Sequence, residues 1–287
     1  MRVLLFGNAE ASILTLRGLL ERGHEILAVA PPGGRGHYWH ESLMDECETL
    51  GVECYDLENP NSPESIKLFS EFFPDIILST LYTAILSEEV ISLANQAVNF
   101  HPSLLPSYRG TAPLIWAIVE GESETGVTAH RMEKKVDCGQ IFGRRFFPID
   151  SGDTGYDLHK KAASEISKLA MEVLELFELG GLLPIEPLDR IESLYSSKTK
   201  RVNLLDPSSQ TVRKIEDIVR ALAPPLPCAW LETDKGKLIV KSVLPVSEPD
   251  SINISNMADG INPFFFEGSR YIIASDGVLK IVDSELQ

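Results

Sequence analysis

Basic residues are scarce in this chain: 26 Lys and Arg stand against 42 Asp and Glu, a formal net charge of −16 over 287 residues. A field of that sign repels phosphate backbones and argues against a large nucleic acid as partner, transfer RNA included. The deficit is milder toward the C-terminus, where residues 182–287 hold 12 basic and 15 acidic side chains, −3 net. Cysteine is also sparse. Cys47, Cys54, Cys138 and Cys228 are scattered, without the close pairs of a structural zinc site or a disulfide framework, and this fits a reducing cytoplasm. No basic residue adjoins Cys138 to stabilise a thiolate, so it reads as a small packing residue. No apolar run approaches the length that crosses a bilayer, and the opening MRVLLFGNAEASIL reads as a buried strand, a turn and a helix instead of a leader peptide. The turn FGNAEAS lacks the G-x-G-x-x-G spacing that seats a pyrophosphate, which argues against a nicotinamide or flavin dinucleotide. No internal repeat or low-complexity tract is present.

What remains is an ordinary folded composition, 44% hydrophobic and 24% charged, at a length that suits two domains. Short apolar runs at 2–7, 25–30, 52–57, 75–80 and 97–103 alternate with helical patterns such as SILTLRGLLERG and SPESIKLFSEFF. This alternation predicts an α/β fold, a Rossmann-like parallel sheet covered on both faces, with ligands bound beyond the carboxyl ends of its strands. Residues 153–181 predict a long amphipathic helix opened by an Asp and stopped by a Gly pair. From about residue 204 Pro becomes dense and short β-like runs alternate with turns, after a helix at 211–225. We expect three parts: a catalytic domain at 1–182, a connector at 183–203, and a small β-rich, barrel-like domain at 204–287. The Pro- and Gly-rich PPGGRGHYWH at 31–40 is either a solvated connector or a loop that moves over a substrate.

The chemistry concentrates in NFHPSLLPSYRG and in the GESETGVTAHRMEKKVDCGQIF that follows. Asn99 and His101 are one residue apart, so a strand points both to one face while Phe100 enters a core. Asp137 follows 36 residues after His101, beside a Gly that permits a sharp turn, and is placed to orient the imidazole or raise its pKa. Each residue also has a bland use, in a cap, a structural His or a turn. Taken together, an amide that can donate to an oxyanion, an imidazole that can move a proton and a carboxylate beside it are the equipment of acyl transfer. No ligand cluster implies a metal. Ser103, Tyr108 and Arg109 lie in a loop folded by Pro106, Gly110 and Pro113, and are candidates for the substrate side. Arg109 either pairs with an acidic residue to hold the loop or contacts a substrate phosphate. Thr128 and His130 share one face of the ETGVTAH strand, and His130 is open between a structural and a substrate-side use.

Asn99, His101, SLLPSYRG at 103–110 and ETGVT at 124–128 resemble the formyltransferases that use 10-formyltetrahydrofolate. The stretch APLIWAIVEGESETGVTAHRM is most similar to the branch that formylates amino groups of sugar nucleotides, as in 4-amino-4-deoxy-arabinose metabolism; methionyl-tRNA formyltransferase is next. The resemblance covers residues 1 to about 180. It implies that Asn99, His101 and Asp137 are catalytic, that 10-formyltetrahydrofolate is the formyl donor, and that a nucleotide-linked amino sugar is the acceptor. It also implies a folate site walled by the 81–86 segment and the 134–139 loop, with Leu81, Ile85, Leu86, Val136 and Asp137 as its carriers. Leu81, Ile85, Leu86 and Val136 are equally readable as core. The resemblance admits a homodimer. Against the leading reading stand methionyl-tRNA formylation, opposed by the charge, and a folate- or nucleotide-binding module without turnover.

Overall fold

The computed structural model describes residues 1–30, 41–181, 184–185, 194–195, 202–248, 250–258 and 262–287. PPGGRGHYWH at 31–40 and most of the expected connector at 183–203 lie outside the described residues. The N-terminal elements run β1 (Arg2–Gly7), α1 (Ala9–Glu21), β2 (Glu25–Ala30), α2 (Leu43–Leu50), β3 (Glu53–Asp56), α3 (Pro63–Phe72), β4 (Ile76–Thr80), α4 (Glu88–Ile91) and β5 (Gln96–His101). They continue with β6 (Arg109–Gly110), α5 (Pro113–Val119), β7 (Glu124–Arg131), β8 (Ile141–Pro148), α6 (Gly155–Glu178) and β9 (Leu194–Tyr195). After these come α7 (Val212–Ala221), β10 (Ala229–Thr233), β11 (Gly236–Pro245), α8 (Asp250–Ala258), β12 (Phe264–Phe266), β13 (Ser269–Ala274) and β14 (Gly277–Leu286).

Seven strands form the first sheet in the order β3-β2-β1-β4-β5-β7-β8. The five strands read from apolar runs are all parallel. Every residue of β4, IILST, is buried, as expected of a central strand covered on both faces. The expected Rossmann-like sheet is mostly parallel, and at its far edge β7 runs antiparallel to β5 and β8 antiparallel to β7. A short turn at 132–140 joins β7 to β8, and a turn of that length can only join antiparallel neighbours. The helices start where side chains satisfy free backbone N–H groups: Ser42 accepts from Asp45 N, Ser62 from Ser65 N and Thr211 from Lys214 N. Asp153 was the expected opener of α6, but a reciprocal box does this: Thr154 Oγ1 accepts from Asp157 N, and Asp157 Oδ2 from Thr154 N. Gly18 lets α1 meet α6 closely, since a Cβ there would stand 2.9 Å from Met171 Sδ. One core lies on the sheet around Leu4, Phe6, Leu27, Phe69 and Ile77.

The chain divides into two compact units, one of residues 1–113, 124–148 and 159–195, the other of 114–123, 149–158 and 196–287. The second holds a five-stranded antiparallel sheet, order β10-β11-β14-β13-β12, with α7 against it. Ile215, Ile218, Leu231, Val240, Ile272 and Leu279 are buried there. Within that unit Lys214 Nζ donates to Val119 O at 2.7 Å and Arg220 Nη1 to Asp153 O at 2.6 Å. Gly155 admits no side chain, because a Cβ would stand 2.2 Å from Ala221 O. No helix among the described residues is long and apolar enough to cross a membrane.

Candidate active site

β5 ends at the site. Phe100 is buried, as the alternation predicts, and Asn99 and His101 turn to the opposite face. Antiparallel pairing places His130 directly opposite Asn99 and Thr128 opposite His101, so four polar side chains share one patch. A register shift between Ala129 and His130 on the β8 side breaks the ladder beside the site, as bulges often do where a side chain must be aimed.

Asp137 arrives from the 132–140 turn in a left-handed conformation, φ 51°. Such a backbone is costly for a non-glycine residue and is retained only where its surroundings enforce it. Three contacts do so. Arg131 N donates to Gln140 O at 2.8 Å across the turn, Arg109 Nη2 donates to Val136 O at 2.8 Å, and Gly110 N donates to Asp137 Oδ2 at 3.0 Å. Gly139 is required beside them, since a Cβ would lie 1.9 Å from Arg131 O. The carboxylate stands 3.6 Å from His101 Nδ1 and 3.5 Å from His130 Nε2. Burial by itself would raise the Asp137 pKa, but His130, His101 and the Gly110 N–H outweigh it and hold the carboxyl at about 2.

His101 is buried, and that burial pushes its pKa below 6.5 despite the opposing pull of Asp137. Its Nε2 lies 3.0 Å from Tyr108 O. A carbonyl can only accept, so Nε2 carries the hydrogen and Nδ1 of the neutral ring carries the lone pair. Near neutral pH the arrangement is therefore an ionised Asp137 beside an imidazole whose Nδ1 can take a proton, with the resulting cation next to a carboxylate. Asp137 thus favours the charged imidazole as expected from sequence, but burial wins and the resting ring is neutral.

The three expected substrate-side residues have internal partners. Ser103 is completely buried and its Oγ donates to Ser107 O at 2.7 Å, which makes it a loop-closing residue. Thr128 completes that closure, donating to Ser103 O at 2.6 Å and accepting from Leu105 N at 3.1 Å. Tyr108, at φ 56°, offers its carbonyl to His101. Arg109 holds the loop, as one of its two readings had it, but through the Val136 carbonyl in place of an acidic side chain. Cys138 also donates to that carbonyl, at 3.2 Å. Of the expected folate-wall residues, Leu86 turns into the core beside Leu4, Phe6 and Val90. Ile85 and Val136 are apolar and uncovered, 70% and 39% exposed, and Leu81 is half-buried at φ 55°. Lys134 Nζ lies 3.3 Å from Glu88 Oε2, so the turn that carries Val136 lies against α4, which follows that segment.

Residues 40–174 match the formyl transferase family. The chain carries a formyl transferase domain. The whole chain also resembles solved structures. The sugar 3N-formyl transferase WlaRD, solved in the presence of dTDP and 5-N-formyl-THF, is 20% identical, with 98% of this chain and 97% of that one covered and a TM-score of 0.71. An N-formyltransferase from Helicobacter canadensis, solved with folinic acid and dTDP-3-aminofucose, is 19% identical, with 99% of each chain covered and a TM-score of 0.72. HypX from Aquifex aeolicus is 18% identical; 100% of this chain but 44% of that one is covered, with a TM-score of 0.66. At these identities the likenesses establish the fold. The formyl transferase domain contains Asn99, His101, His130 and Asp137, so the polar patch falls inside the matched region.

Sequence reasoning named Asn99, His101 and Asp137, and the structure gathers all three. It held His130 open between a structural and a substrate-side use, and it left out the Tyr108 carbonyl and the Gly110 N–H. The alternation of ETGVTAH put His130 on the same face as Thr128, but the pairing of that strand with β5 had no local signal.

Proposed function

We propose that this chain is an N-formyltransferase that moves the formyl group of 10-formyltetrahydrofolate to the primary amine of a nucleotide-linked amino sugar. The observation that carries this is the cluster of Asn99, a neutral buried His101 and an ionised Asp137 within a formyl transferase domain. In the proposed reaction the amine nitrogen attacks the formyl carbon and the carbonyl electron pair moves to oxygen. Asn99 donates an N–H to that oxyanion, an interaction whose loss elsewhere costs about 3 kcal/mol of barrier. His101 Nδ1 takes the proton from the new ammonium centre, with Asp137 stabilising the imidazolium. Collapse of the tetrahedral centre breaks the bond to the folate nitrogen, which receives that proton and leaves as tetrahydrofolate. The exposed Ile85 and Val136 offer an apolar wall for the pterin. Residues 1–182 are the proposed catalytic domain and 204–287 a separate β-domain.

Two observations favour a sugar nucleotide over transfer RNA as acceptor: the net charge of −16, and the dTDP compounds of the WlaRD and Helicobacter canadensis structures. The test is release of tetrahydrofolate, followed by absorbance, with a panel of UDP-, dTDP- and GDP-linked amino sugars beside charged initiator tRNA. We expect release that depends on one sugar nucleotide. Turnover with tRNA alone would overturn the acceptor, and donor binding without turnover on any amine would reduce the protein to a binding module.

A further inference from the structure

His130 lies between Asn99 and Asp137, and its hydrogen bonds fix the tautomer of the neutral ring. Nδ1 lies 2.8 Å from the Arg131 carbonyl. Because a carbonyl only accepts, Nδ1 holds the hydrogen, and Nε2 of the neutral ring presents only a lone pair. Asn99 can meet that lone pair through its amide nitrogen alone, and Nδ2 is the atom that stands 3.1 Å away. With the amide turned over, two acceptors would face each other in a half-buried site. One hydrogen of Nδ2 is thus committed to His130, and the amide plane leaves the second pointing about 120° away from it.

We propose that His130 is the positioning residue that sets the Asn99 amide and so aims its second N–H at the formyl oxygen; this rests on the formyl transfer proposed above. The ring does not touch the reacting atoms. It acts by forbidding the amide orientation that would put an oxygen where the oxyanion develops. The backbone supports that task, since His130 is held by strand pairing opposite Asn99 and by its own strand's next carbonyl.

The same nitrogen faces Asp137 Oδ1 at 3.5 Å. The charged and titratable groups around the ring are Asp137 from the 132–140 turn, His101 from β5, and the Arg109 guanidinium beside His101. Arg131, next in the chain, directs its guanidinium over the Phe142 ring, 5.9 Å from the centroid.

The experiment compares wild type, His130→Ala and His130→Gln in formyl transfer to a sugar nucleotide that the wild type accepts, with melting temperatures recorded for all three. A Gln side chain places its Oε1 near the position of Nε2 and can accept from Asn99. We expect His130→Ala to lose about 100-fold in kcat, the scale of a misaimed catalytic group, with both KM values within about twofold. His130→Gln should recover most of that loss. Unchanged kcat in His130→Ala, or Ala and Gln variants equally slow at wild-type melting temperature, would overturn the positioning role alone. A wild type with no turnover on any amine overturns the formyl-transfer reading and this inference together.

Discussion

The two sheets treat polar groups in opposite ways. At the end of β5 the first sheet turns Asn99, His101, His130 and Asp137 inward, and it holds an ionised carboxylate where burial by itself disfavours charge. The C-terminal sheet keeps its charges outside and even leaves apolar side chains uncovered, Phe265 at 66% and Val282 at 56% exposed. In the first sheet a local arrangement is maintained against its own cost, by a left-handed Asp137, a glycine that admits no side chain and a set of backbone hydrogen bonds. The second follows the simple rule that apolar groups between sheet and helix stabilise and the outer face is free. The second sheet has a left-handed Glu267 and a Gly236 that admits no side chain, but these shape its hairpin turns, whereas in the first sheet such features surround buried titratable groups, and that combination points to chemistry.

The contrast breaks most sharply in catalysis. Asn99→Ala and His101→Ala should each lower kcat by about 100-fold or more with melting temperatures near wild type, whereas no exposed residue of the C-terminal sheet should do so. Full activity in either variant would sink the proposed mechanism.

Stability sharpens the same comparison. Ile272→Ala, at a fully buried position of β13, should cost about 2 to 5 kcal/mol in denaturant titration, against about 0.5 kcal/mol or less for Phe265→Ala on the open face. Equal losses would mean that the outer face is covered in solution.

Asp137→Asn is next in size. Its carboxyl falls from 3.8 to about 2 on folding, a difference equivalent to about 2 kcal/mol. The unfolded chain binds this proton first, so the stabilisation is complete above pH 3.8 and is lost as pH falls toward 2. Wild type should exceed Asp137→Asn by that amount at neutral pH and the two should converge in acid, provided the Asn still accepts from Gly110 N. Parallel curves would show that the carboxylate charge is not what stabilises the turn.

The last comparison concerns His101. Burial lowers its pKa, so the unfolded chain takes up this proton first as pH drops below 6.5, and wild-type stability should decline over that range. His101→Gln should flatten the decline, and an unchanged slope would assign it to another group.

Much of the first sheet was legible because a buried parallel strand is a continuous apolar run and needs no partner to be recognised. IILST and EILAVA are such runs, and both became strands at the residues expected. Asn99, His101 and Asp137 were legible as chemistry because an amide, an imidazole and a carboxylate have few joint structural uses. The direction of β7 was not legible, since alternation is the same whether a strand runs up or down. That direction is what put His130 opposite Asn99. The burial of Leu86 was not legible for a related reason: its neighbour Ile85 is uncovered while it is core, and nothing in LYTAIL distinguishes the two.

The sequence by itself determined the alternation of strands and helices, the acidic charge, the sparse thiols and the identities of three candidate reacting groups, because these follow from composition and local spacing. Tertiary structure alone decided which ring nitrogen of His101 holds the hydrogen, that Asp137 stays ionised, that Ser103 and Arg109 serve the loops, and that His130 joins the site. Each of these depends on a hydrogen-bond partner or a degree of burial supplied by residues far away in the chain. Protonation and side-chain orientation are set by those neighbours and not by the residue's own place in the sequence.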